Sequence, residues 1–356
     1  AIVPAYQGRV MTSTARGDSG ASFGWINRPH IAAGEFVPHI NVFGGEDRFW
    51  MSPEGGQYAI FFPPGAPFDW ESWQTPPFID TTPYELVSST STLCLFRKRA
   101  TVTNRNGTEF KLQIERTIRL LNLLRAQELL GVEISASVDM VAYESYNKVI
   151  NDGDAPWSKD SGLLSIWILG MYAPSEATTV VIPFEAGTQA ERGPAVNDEY
   201  FGKVPAERLV VRDDVLFFRG DGQYRSKIGL GPKRAKTTIG SYDADGQMLT
   251  LVNYTKTDGT RDYVNSMWEL QDEPYRGDVV NAYNDGPAAP EKKPLGPFYE
   301  LETSSAAFML EPEKEGSHSH RTFHFQGDEA DLDTIARSTL GVALDDIKSV
   351  FGTKTK

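Results

Sequence analysis

The segment LCLFRKRATVT NRNG TEFKLQIERTIRLL, residues 93–121, indicates the fold class most clearly. Two runs that are rich in apolar and β-branched residues, Leu93–Thr103 and Thr108–Leu121, flank the turn-forming tetrapeptide Asn104–Gly107. Asn and Gly accept the left-handed backbone angles of a tight connection, so the pattern predicts a β-hairpin. Apolar and polar residues alternate from Phe110 to Glu115, which puts one face of the second strand on a core.

Further strands are predicted where short apolar runs end at turn-forming residues. These are Leu129–Tyr146, Leu163–Tyr172, Thr178–Phe184, Val215–Arg219, Lys236–Tyr242, Met248–Tyr254, Val264–Gln271 and Phe298–Ser304. Short helices are expected only near the end, at Asp331–Leu340 and Leu344–Phe351. The spacing predicts an all-β protein of large antiparallel sheets, and because no repeat or linker interrupts it, we expect residues 1–356 to form a single domain.

Composition excludes several classes of function. The chain has 356 residues, of which 40% are hydrophobic, enough for a sizeable core. Its net charge of −13 repels phosphate backbones, so no nucleic-acid partner is expected. The longest apolar stretch, Leu163–Tyr172, is about half the length that a membrane span requires, so no span is expected.

The single cysteine and the first residue bear on the compartment. Cys94 is the only cysteine, so no internal disulfide forms, and we interpret it as a buried structural thiol. The chain starts at Ala1 without Met, as after removal of a signal peptide or in a trimmed chain. We therefore expect a secreted or periplasmic protein.

Segments near the two ends of the chain carry a family resemblance. Asn41–Trp50, which reads NVFGGEDRFW, resembles the Asn-x-x-His-Gly-Gly…Trp segment of aldose 1-epimerases, the galactose mutarotases. Tyr299–Thr303, then Leu310–Pro312 and His318–Phe325, are similar to the Leu-Glu-Thr strand, the Arg-Pro-Gly-Glu turn and the closing strand of those enzymes.

The resemblance extends over most of the chain. Glu115–Leu121 and Tyr143–Asn151 also resemble strands of this superfamily, and the segments occur in the same order. The whole chain looks closest to a bacterial branch known as a domain of unknown function. The implied fold is a large antiparallel β-supersandwich, galactose mutarotase-like, with a few short helices and a sugar-sized groove on one sheet.

The resemblance also implies a chemistry. Mutarotation needs a carboxylate that takes the proton of the anomeric hydroxyl and an acid that protonates the ring oxygen. The Leu-Glu-Thr match puts Glu302 at the position of the base. Phe43 occupies the position of one histidine acid, and Ser165–Ile168 contains no histidine where the second is expected. Epimerase-like catalysis would therefore need another acid, such as His320, and the residues leave open whether the protein is an enzyme.

Glu300 and Glu302 stand two residues apart on a predicted strand. They share a face, with Cα atoms roughly 6 to 7 Å apart. They are catalytic candidates, as a base and a partner whose like charge raises one pKa, and they are also candidate oxygen ligands for a cation. The alternative is a solvated strand face.

Three of the five histidines, His318, His320 and His324, lie close together. Alternation places all three on one strand face, and His-x-His can present two imidazoles to one metal. His318 and His320 are thus candidate ligands of a divalent metal, with Glu300 and Glu302 completing its shell. No cofactor is required by the pattern, and an ordinary surface pair of histidines is the alternative.

Candidate substrate-binding residues lie in two segments. In the N-terminal third, charged groups stand among large aromatic rings, the mixture that binds sugars. The candidates there are Trp25, His39, Glu46, Asp47 and Arg48. Arg48 is the strongest, because it follows the Gly-Gly turn of the resemblance. The alternative is that the tryptophans are core and the charged residues pair locally at a turn.

Asn265 and Glu269 are expected to share one face of the predicted strand Val264–Gln271 and to line the opposite wall of the groove. A structural hydrogen-bond network accounts for them equally well. Carbohydrate is the expected partner. We expect a protein that binds or processes a sugar, with epimerase-like chemistry and a Glu base. One alternative is a non-catalytic carbohydrate-binding protein. The other is a polysaccharide lyase or glycosidase-like enzyme, which would need a tyrosine or carboxylate pair across the groove.

Overall fold

The computed structural model describes residues 1–260, 262–289 and 291–352. The strands are β1 (Ile2–Val3), β2 (Arg9–Val10), β3 (Arg48–Ser52), β4 (Glu85–Ser89), β5 (Leu93–Thr103), β6 (Glu109–Leu120), β7 (Asp139–Asn151), β8 (Ser165–Tyr172), β9 (Thr178–Pro183), β10 (Leu209–Val211), β11 (Val215–Arg219), β12 (Ser226–Leu230), β13 (Thr238–Asp243), β14 (Met248–Tyr254), β15 (Val280–Asn284), β16 (Tyr299–Ser304) and β17 (Glu315–Gln326). The helices are α1 (Arg28–Ala33), α2 (Pro77–Asp80), α3 (Leu123–Leu130), α4 (Gln189–Arg192), α5 (Glu329–Leu340) and α6 (Leu344–Ser349), with 3₁₀ turns at Pro4–Tyr6 and Gly17–Ser19.

Two large antiparallel sheets form the architecture. The first has ten strands in the order β10-β11-β9-β13-β14-β17-β7-β6-β5-β4, and the second has five in the order β12-β15-β16-β8-β3. Strands β1 and β2 form a separate ribbon. The predicted all-β fold with a few short helices is confirmed.

The hairpin of β5 and β6 forms as its sequence predicts. All eleven residues of β5 pair with β6, from Leu93 opposite Arg119 to Thr103 opposite Glu109. Gly107 takes a φ of 89°, and Asn104 closes the turn by accepting the Thr108 amide at 2.9 Å on its side chain. The alternating apolar side chains of β6 are buried.

The core lies between the sheets and on the outer face of the larger one. Apolar side chains of β6 pack with those of β3 and β8, which joins the inner faces of the two sheets. On the other side of the ten-stranded sheet, α5 and α6 cover Phe323 and Phe325 of β17. Within the described residues, no helix has both the length and the apolar character needed to cross a membrane.

The predicted strand Leu129–Tyr146 is wrong over its first part. Only Leu129 and Leu130 are helical, as the end of α3. Residues 131–138 form turns and irregular chain, and β7 begins only at Asp139. Asn122 caps the start of α3 by accepting the Arg125 amide, and Gly131 ends the helix in a left-handed conformation. These residue types favour helix ends, so Leu129 and Leu130 close a helix instead of opening a strand.

The predicted strand Val264–Gln271 is also wrong, because this stretch is a loop. Its own side chains supply the hydrogen bonds that a neighbouring strand would make: Asn265 Oδ1 accepts the Met267 amide at 3.1 Å, and Gln271 Nε2 donates to the Met267 carbonyl at 2.8 Å. The two helices expected near the end are present as α5 and α6. That residues 1–356 form a single domain stays a prediction, and residues 353–356 lie outside the described part.

Candidate functional site

The candidate site starts from β16, the central strand of the five-stranded sheet. Alternation along β16 turns Glu300 and Glu302 to the outer face and Leu301 and Thr303 to the inner face, toward the ten-stranded sheet. Both glutamates are buried, with 5% and 1% of their surface exposed. Two carboxyl groups in so little water require positive or hydrogen-bonding neighbours.

The two edge strands of this sheet supply the cations. Arg48, at the start of β3, pairs with Glu300, and Lys227 of β12 places its Nζ atom 2.9 Å from Glu302 Oε2. The four charged side chains are all at least 89% buried, since the largest exposure is 11% at Lys227. The outer face therefore carries two buried contacts between a carboxyl group and a cation. At Glu300 the attraction of Arg48 offsets only part of the cost of desolvation.

Two tryptophans of β3 and β8 line the same face. Trp167 Nε1 donates to Glu302 Oε2 at 2.9 Å, and the ring of Trp50 stands at 84° to that of Trp167, with centroids 5.6 Å apart. The Lys227 ammonium lies 4.7 Å above the Trp167 ring. We call Arg48, Lys227, Glu300, Glu302 and Trp167 the carboxylate cluster.

Several polar atoms here are buried and unpaired among the described residues. They are Glu302 Oε1, Arg48 Nε and Trp50 Nε1. An unpaired buried polar group costs about 1 to 3 kcal/mol, so proteins rarely keep one without a reason. An acceptor and two donors on one face match the hydroxyl groups of a polar ligand.

Two loops, residues 54–57 and 265–271, are joined beside β3 at the border of the cluster, and we call them the clasp. Glu54 follows β3, and its carboxyl group accepts Trp268 Nε1 at 3.2 Å. Gln57 and Gln271 join the loops by a reciprocal pair of bonds, with Gln57 Nε2 2.9 Å from the Gln271 carbonyl and the Gln271 amide 3.1 Å from Gln57 Oε1. A Cβ atom at Gly55 would lie 2.2 Å from a backbone oxygen of the second loop, so only glycine fits there. The clasp holds Glu54 and Trp268 in place.

Hydrogen-bonded polar groups border the cluster next to β12. Tyr200 donates its hydroxyl to Asp278 at 2.7 Å, and Asn281 Nδ2 donates to the Tyr200 oxygen at 3.2 Å. The Lys227 ammonium lies 5.5 Å above the Tyr200 ring. At Gly229 a Cβ atom would lie 2.1 Å from the Asp278 carboxylate, so this glycine makes room for it.

Burial sets the protonation of the carboxyl groups. Desolvation raises the pKa of Glu300 to about 8, with Glu302 acting in the same direction and Arg48 opposing. Desolvation also raises the pKa of Glu54, against the positive charge of Lys227, and the pKa of Asp278, against the hydrogen bond from Tyr200. Carboxyl groups of this kind hold a proton at a higher pH than exposed ones do, so they suit proton transfer.

His318 and His320 do not lie near this site. Both are on the inner face of the ten-stranded sheet, where Thr303 Oγ1 contacts His318 Nε2 at 2.8 Å and His320 Nδ1 at 2.9 Å. Thr303 points away from Glu300 and Glu302, because adjacent strand residues face opposite sides. The structure thus does not assemble the expected metal shell, and no metal-binding group of His, Cys, Asp or Glu occurs in the described ranges. His320 also cannot serve as the acid for Glu302, because His320 lies on the inner side of the five-stranded sheet and Glu302 on its outer side.

Glu46 and Asp47 also belong to the interior rather than to a sugar site. Glu46 Oε2 lies 2.7 Å from His324 Nε2, and Asp47 pairs with Arg116 of β6. All four side chains are fully buried. The expectation that Glu46 and Asp47 bind substrate is therefore not supported by their positions, although Arg48, the next residue, faces the cluster.

The remaining candidates are dispersed. Trp25 packs on Phe298, 4.9 Å between ring centroids. It belongs to an apolar group with Met171 and Tyr283, the residues opposite Glu300 on the neighbouring strands, so it borders the carboxylate cluster. His39 packs on Trp70 at 4.7 Å. Asn265 lies within the clasp, where its side chain holds the loop, and Glu269 is exposed on that loop. The shared strand face predicted for Asn265 and Glu269 does not exist.

Sequence reasoning missed several residues of the site, namely Lys227, Trp167, Asp278 and Tyr200. A signal for Lys227 was available, because it is the one charged residue of the segment SKIGL, where apolar neighbours indicate a buried strand. Its pairing with Glu302, 75 residues away, had no local signal.

A cleft in another part of the protein is less suitable for a sugar. A cleft of about 520 Å³ lies where the end of α5 meets β9 and β13, and its wall includes Glu185, Lys236 and Lys256. Among the described residues that line it there is no aromatic ring. Because sugars bind on aromatic faces, the carboxylate cluster is the better candidate.

The comparisons with known proteins agree with this architecture. A galactose mutarotase-like protein from Lactobacillus casei has a similar structure, with a TM-score of 0.51 at 9% identity over 91% of this chain and 95% of that one. The Slr1438 protein from Synechocystis gives a TM-score of 0.50 at 13% identity over 92% of this chain and 91% of that one. The fold is therefore galactose mutarotase-like, which confirms the fold that the resemblance in the sequence implies.

The chain belongs to a family of unknown function, DUF6786, whose model matches residues 1–351. No curated protein has a significantly similar sequence.

Proposed function

We propose that the protein binds a pyranose sugar over the carboxylate cluster and that Glu302 is the proton acceptor of an epimerase-like reaction. The main support is the state of Glu302: its Oε2 atom accepts Lys227 and Trp167, each at 2.9 Å, while its buried Oε1 atom has no partner among the described residues. A fixed carboxylate with one free oxygen beside aromatic rings suits a base that acts on a sugar hydroxyl.

The surrounding groups would bind the sugar. Trp50 and Trp167 are each 5% exposed, with Arg48 over one ring and Lys227 over the other, so a sugar would pack its C–H surface on these indoles only after displacing the cations. The free Arg48 Nε and Trp50 Nε1 atoms would donate to its hydroxyls. The ligand would then satisfy the polar atoms that are otherwise unpaired.

The reaction needs one proton removed and one supplied. Glu302 Oε1 takes the proton of the anomeric hydroxyl, the bond between C1 and the ring oxygen breaks, and the ring oxygen receives a proton. The product is the open-chain aldehyde, which closes again to either anomer, and both protons return. We assign proton donation to Glu54, because desolvation raises its pKa and Trp268 fixes its carboxyl group at the border of the cluster.

Binding without turnover is the second candidate. It is favoured by the position of the five histidines of the chain, which make their hydrogen bonds away from the cluster, so that no imidazole acid stands beside Glu302. It is also favoured by the two ion pairs, which occupy the carboxylates.

A panel of aldohexoses and aldopentoses tests both candidates. Saturation-transfer NMR detects binding, and exchange NMR measures the rate at which the anomers interconvert. We expect Glu302→Gln to lower the catalysed rate by roughly 10²- to 10⁴-fold, the usual contribution of a general base. Glu144→Gln, which removes a paired glutamate from the other sheet, is the matched control and should leave the rate unchanged.

The outcome of these two NMR measurements distinguishes the two candidate functions. Binding with catalysed exchange that depends on Glu302 supports the epimerase-like reaction. Binding that requires Glu302 and Trp167 without catalysed exchange supports the non-catalytic candidate. If none of the sugars binds the wild-type protein, or if Glu302→Gln changes neither binding nor rate, the proposal is wrong.

A further inference from the structure

A column of indole rings runs from the clasp to the protein surface. Trp268, which donates to Glu54, stacks on Trp73 with centroids 5.9 Å apart, and Trp73 stacks on Trp70 at 5.2 Å. The interplanar angles are 26° and 16°, so the three rings are nearly parallel. The column is also connected to Trp50, because Phe61 lies between Trp50 and Trp73 at 5.5 and 5.7 Å.

The exposure of the rings changes sharply along the column. Trp73 is 4% exposed and belongs to the core, whereas Trp70 is 48% exposed. A half-exposed indole at the end of a stack offers apolar surface to water and gains little stability from it. Glu71, the next residue, is exposed as well, so a carboxylate lies beside the ring in the chain.

Hydrogen bonds hold the turn that carries the ring, and His39 packs on the ring itself at 4.7 Å. Asp69 begins the turn that carries both tryptophans, accepting the Ser72 amide at 2.8 Å on its side chain. His39 fixes the turn from the other side, with Nδ1 2.6 Å from the Trp73 carbonyl. Gln74 pairs with the His39 backbone in both directions, at 2.9 and 3.0 Å. A rigid aromatic platform binds its ligand without an ordering cost.

We propose that Trp70 is an outer sugar subsite and that the ligand is an oligosaccharide, whose inner unit lies over the carboxylate cluster and whose outer unit stacks on Trp70. The inference rests on the proposed function and extends it from one sugar ring to a chain. Two features support a carbohydrate chain over another occupant. The packed column links Trp70 to Trp268, which donates to Glu54 at the border of the cluster, and Glu71, next to Trp70 in the chain, adds an exposed carboxylate, so the residue types match those of the inner site.

Binding as a function of ligand length tests the proposal. The probes are glucose, galactose, mannose and xylose, each compared with its own β-linked or α-linked disaccharide to hexasaccharide series, by calorimetric titration. We expect the wild-type protein to bind the longer members of one series roughly tenfold more tightly than the monosaccharide, the contribution of one stacked ring. Trp70→Ala should remove that gain and leave monosaccharide affinity unchanged.

A matched variant separates stacking from general damage. Tyr146→Ala removes a 37%-exposed aromatic side chain from β7 of the ten-stranded sheet and should leave the length dependence intact. Equal affinity for monosaccharides and oligosaccharides, with no effect of Trp70→Ala, would overturn the outer subsite while the proposed function stands. If no carbohydrate of either length binds, the inference and the proposed function both fail. If Trp70→Ala weakens monosaccharides as much as hexasaccharides, the chain-length inference alone is overturned.

Discussion

Replacing His318 and His320 together with glutamine should make the protein markedly less sensitive to acid. Both imidazoles lie between the sheets, 1% and 0% exposed. Burial lowers the pKa of His318 to about 3, with the neighbouring His320 adding to the effect. Burial lowers the pKa of His320 to about 4, with Asp47 opposing and Arg116 and Arg321 assisting. Both rings are therefore neutral in the folded protein at pH 5.

The sign and the size of the effect follow from proton binding. Histidine in the unfolded chain has a pKa of about 6.5, so below that pH the unfolded state binds protons that the folded state does not, and the free energy of unfolding falls. Between pH 6.5 and pH 5 the loss is about 1.4 kcal/mol per pH unit for each ring, or about 2 kcal/mol each and about 4 kcal/mol for the pair. Glutamine does not titrate, and its amide can still bond to Thr303.

Urea unfolding followed by tryptophan fluorescence at pH 7 and pH 5 measures this difference. The wild-type protein should lose about 4 kcal/mol more than the double variant between the two pH values, and each single variant should account for about half. Other groups titrate in both proteins alike, so the comparison cancels them. An equal loss in the wild-type and double-variant proteins, within about 1 kcal/mol, would refute the assignment of two buried neutral rings.

Other predictions concern the interior and the border of the site. Arg116→Met should lower the free energy of unfolding by about 3 to 5 kcal/mol, because it leaves the fully buried Asp47 without its cation. Adding Asp47→Asn should recover part of that loss. A cost of Arg116→Met below about 1 kcal/mol would contradict the pairing. Gly229→Ala should displace Asp278, since the new Cβ would lie 2.1 Å from its carboxylate. We expect weaker sugar binding and a loss of about 1 to 3 kcal/mol in the free energy of unfolding. Unchanged sugar binding would show that Asp278 takes no part in it.

The sequence predicted those parts of the fold whose signals are local. The hairpin of β5 and β6 was predictable because its turn residues and its alternation both lie within one short segment. β14 was predicted with its observed bounds, Met248–Tyr254, for the same reason. The predicted strand Leu129–Tyr146 started too early, because Leu129 and Leu130 end α3 and β7 begins only at Asp139.

Only part of the candidate site could be predicted from the sequence. Alternation placed Glu300 and Glu302 on one face, and the resemblance pointed to Glu302. Which residues oppose them depends on strand order: Arg48 reaches Glu300 from 252 residues away, a separation over which spacing carries no information. Strand order also decides the position of His318 and His320, which the sequence suggested as neighbours of the glutamates. They belong to the ten-stranded sheet and face the inner side of β16, whereas Glu300 and Glu302 are on its outer side.

The most direct test of the central claim is a crystal structure of the protein with a bound sugar, obtained by soaking with the tightest ligand of the panels. The account predicts a pyranose on the outer face of the five-stranded sheet, with a hydroxyl within about 2.6 to 3.2 Å of Glu302 Oε1 and its C–H face on Trp50 or Trp167. A sugar bound instead in the cleft beside α5, with the carboxylate cluster still closed by its ion pairs, would contradict it.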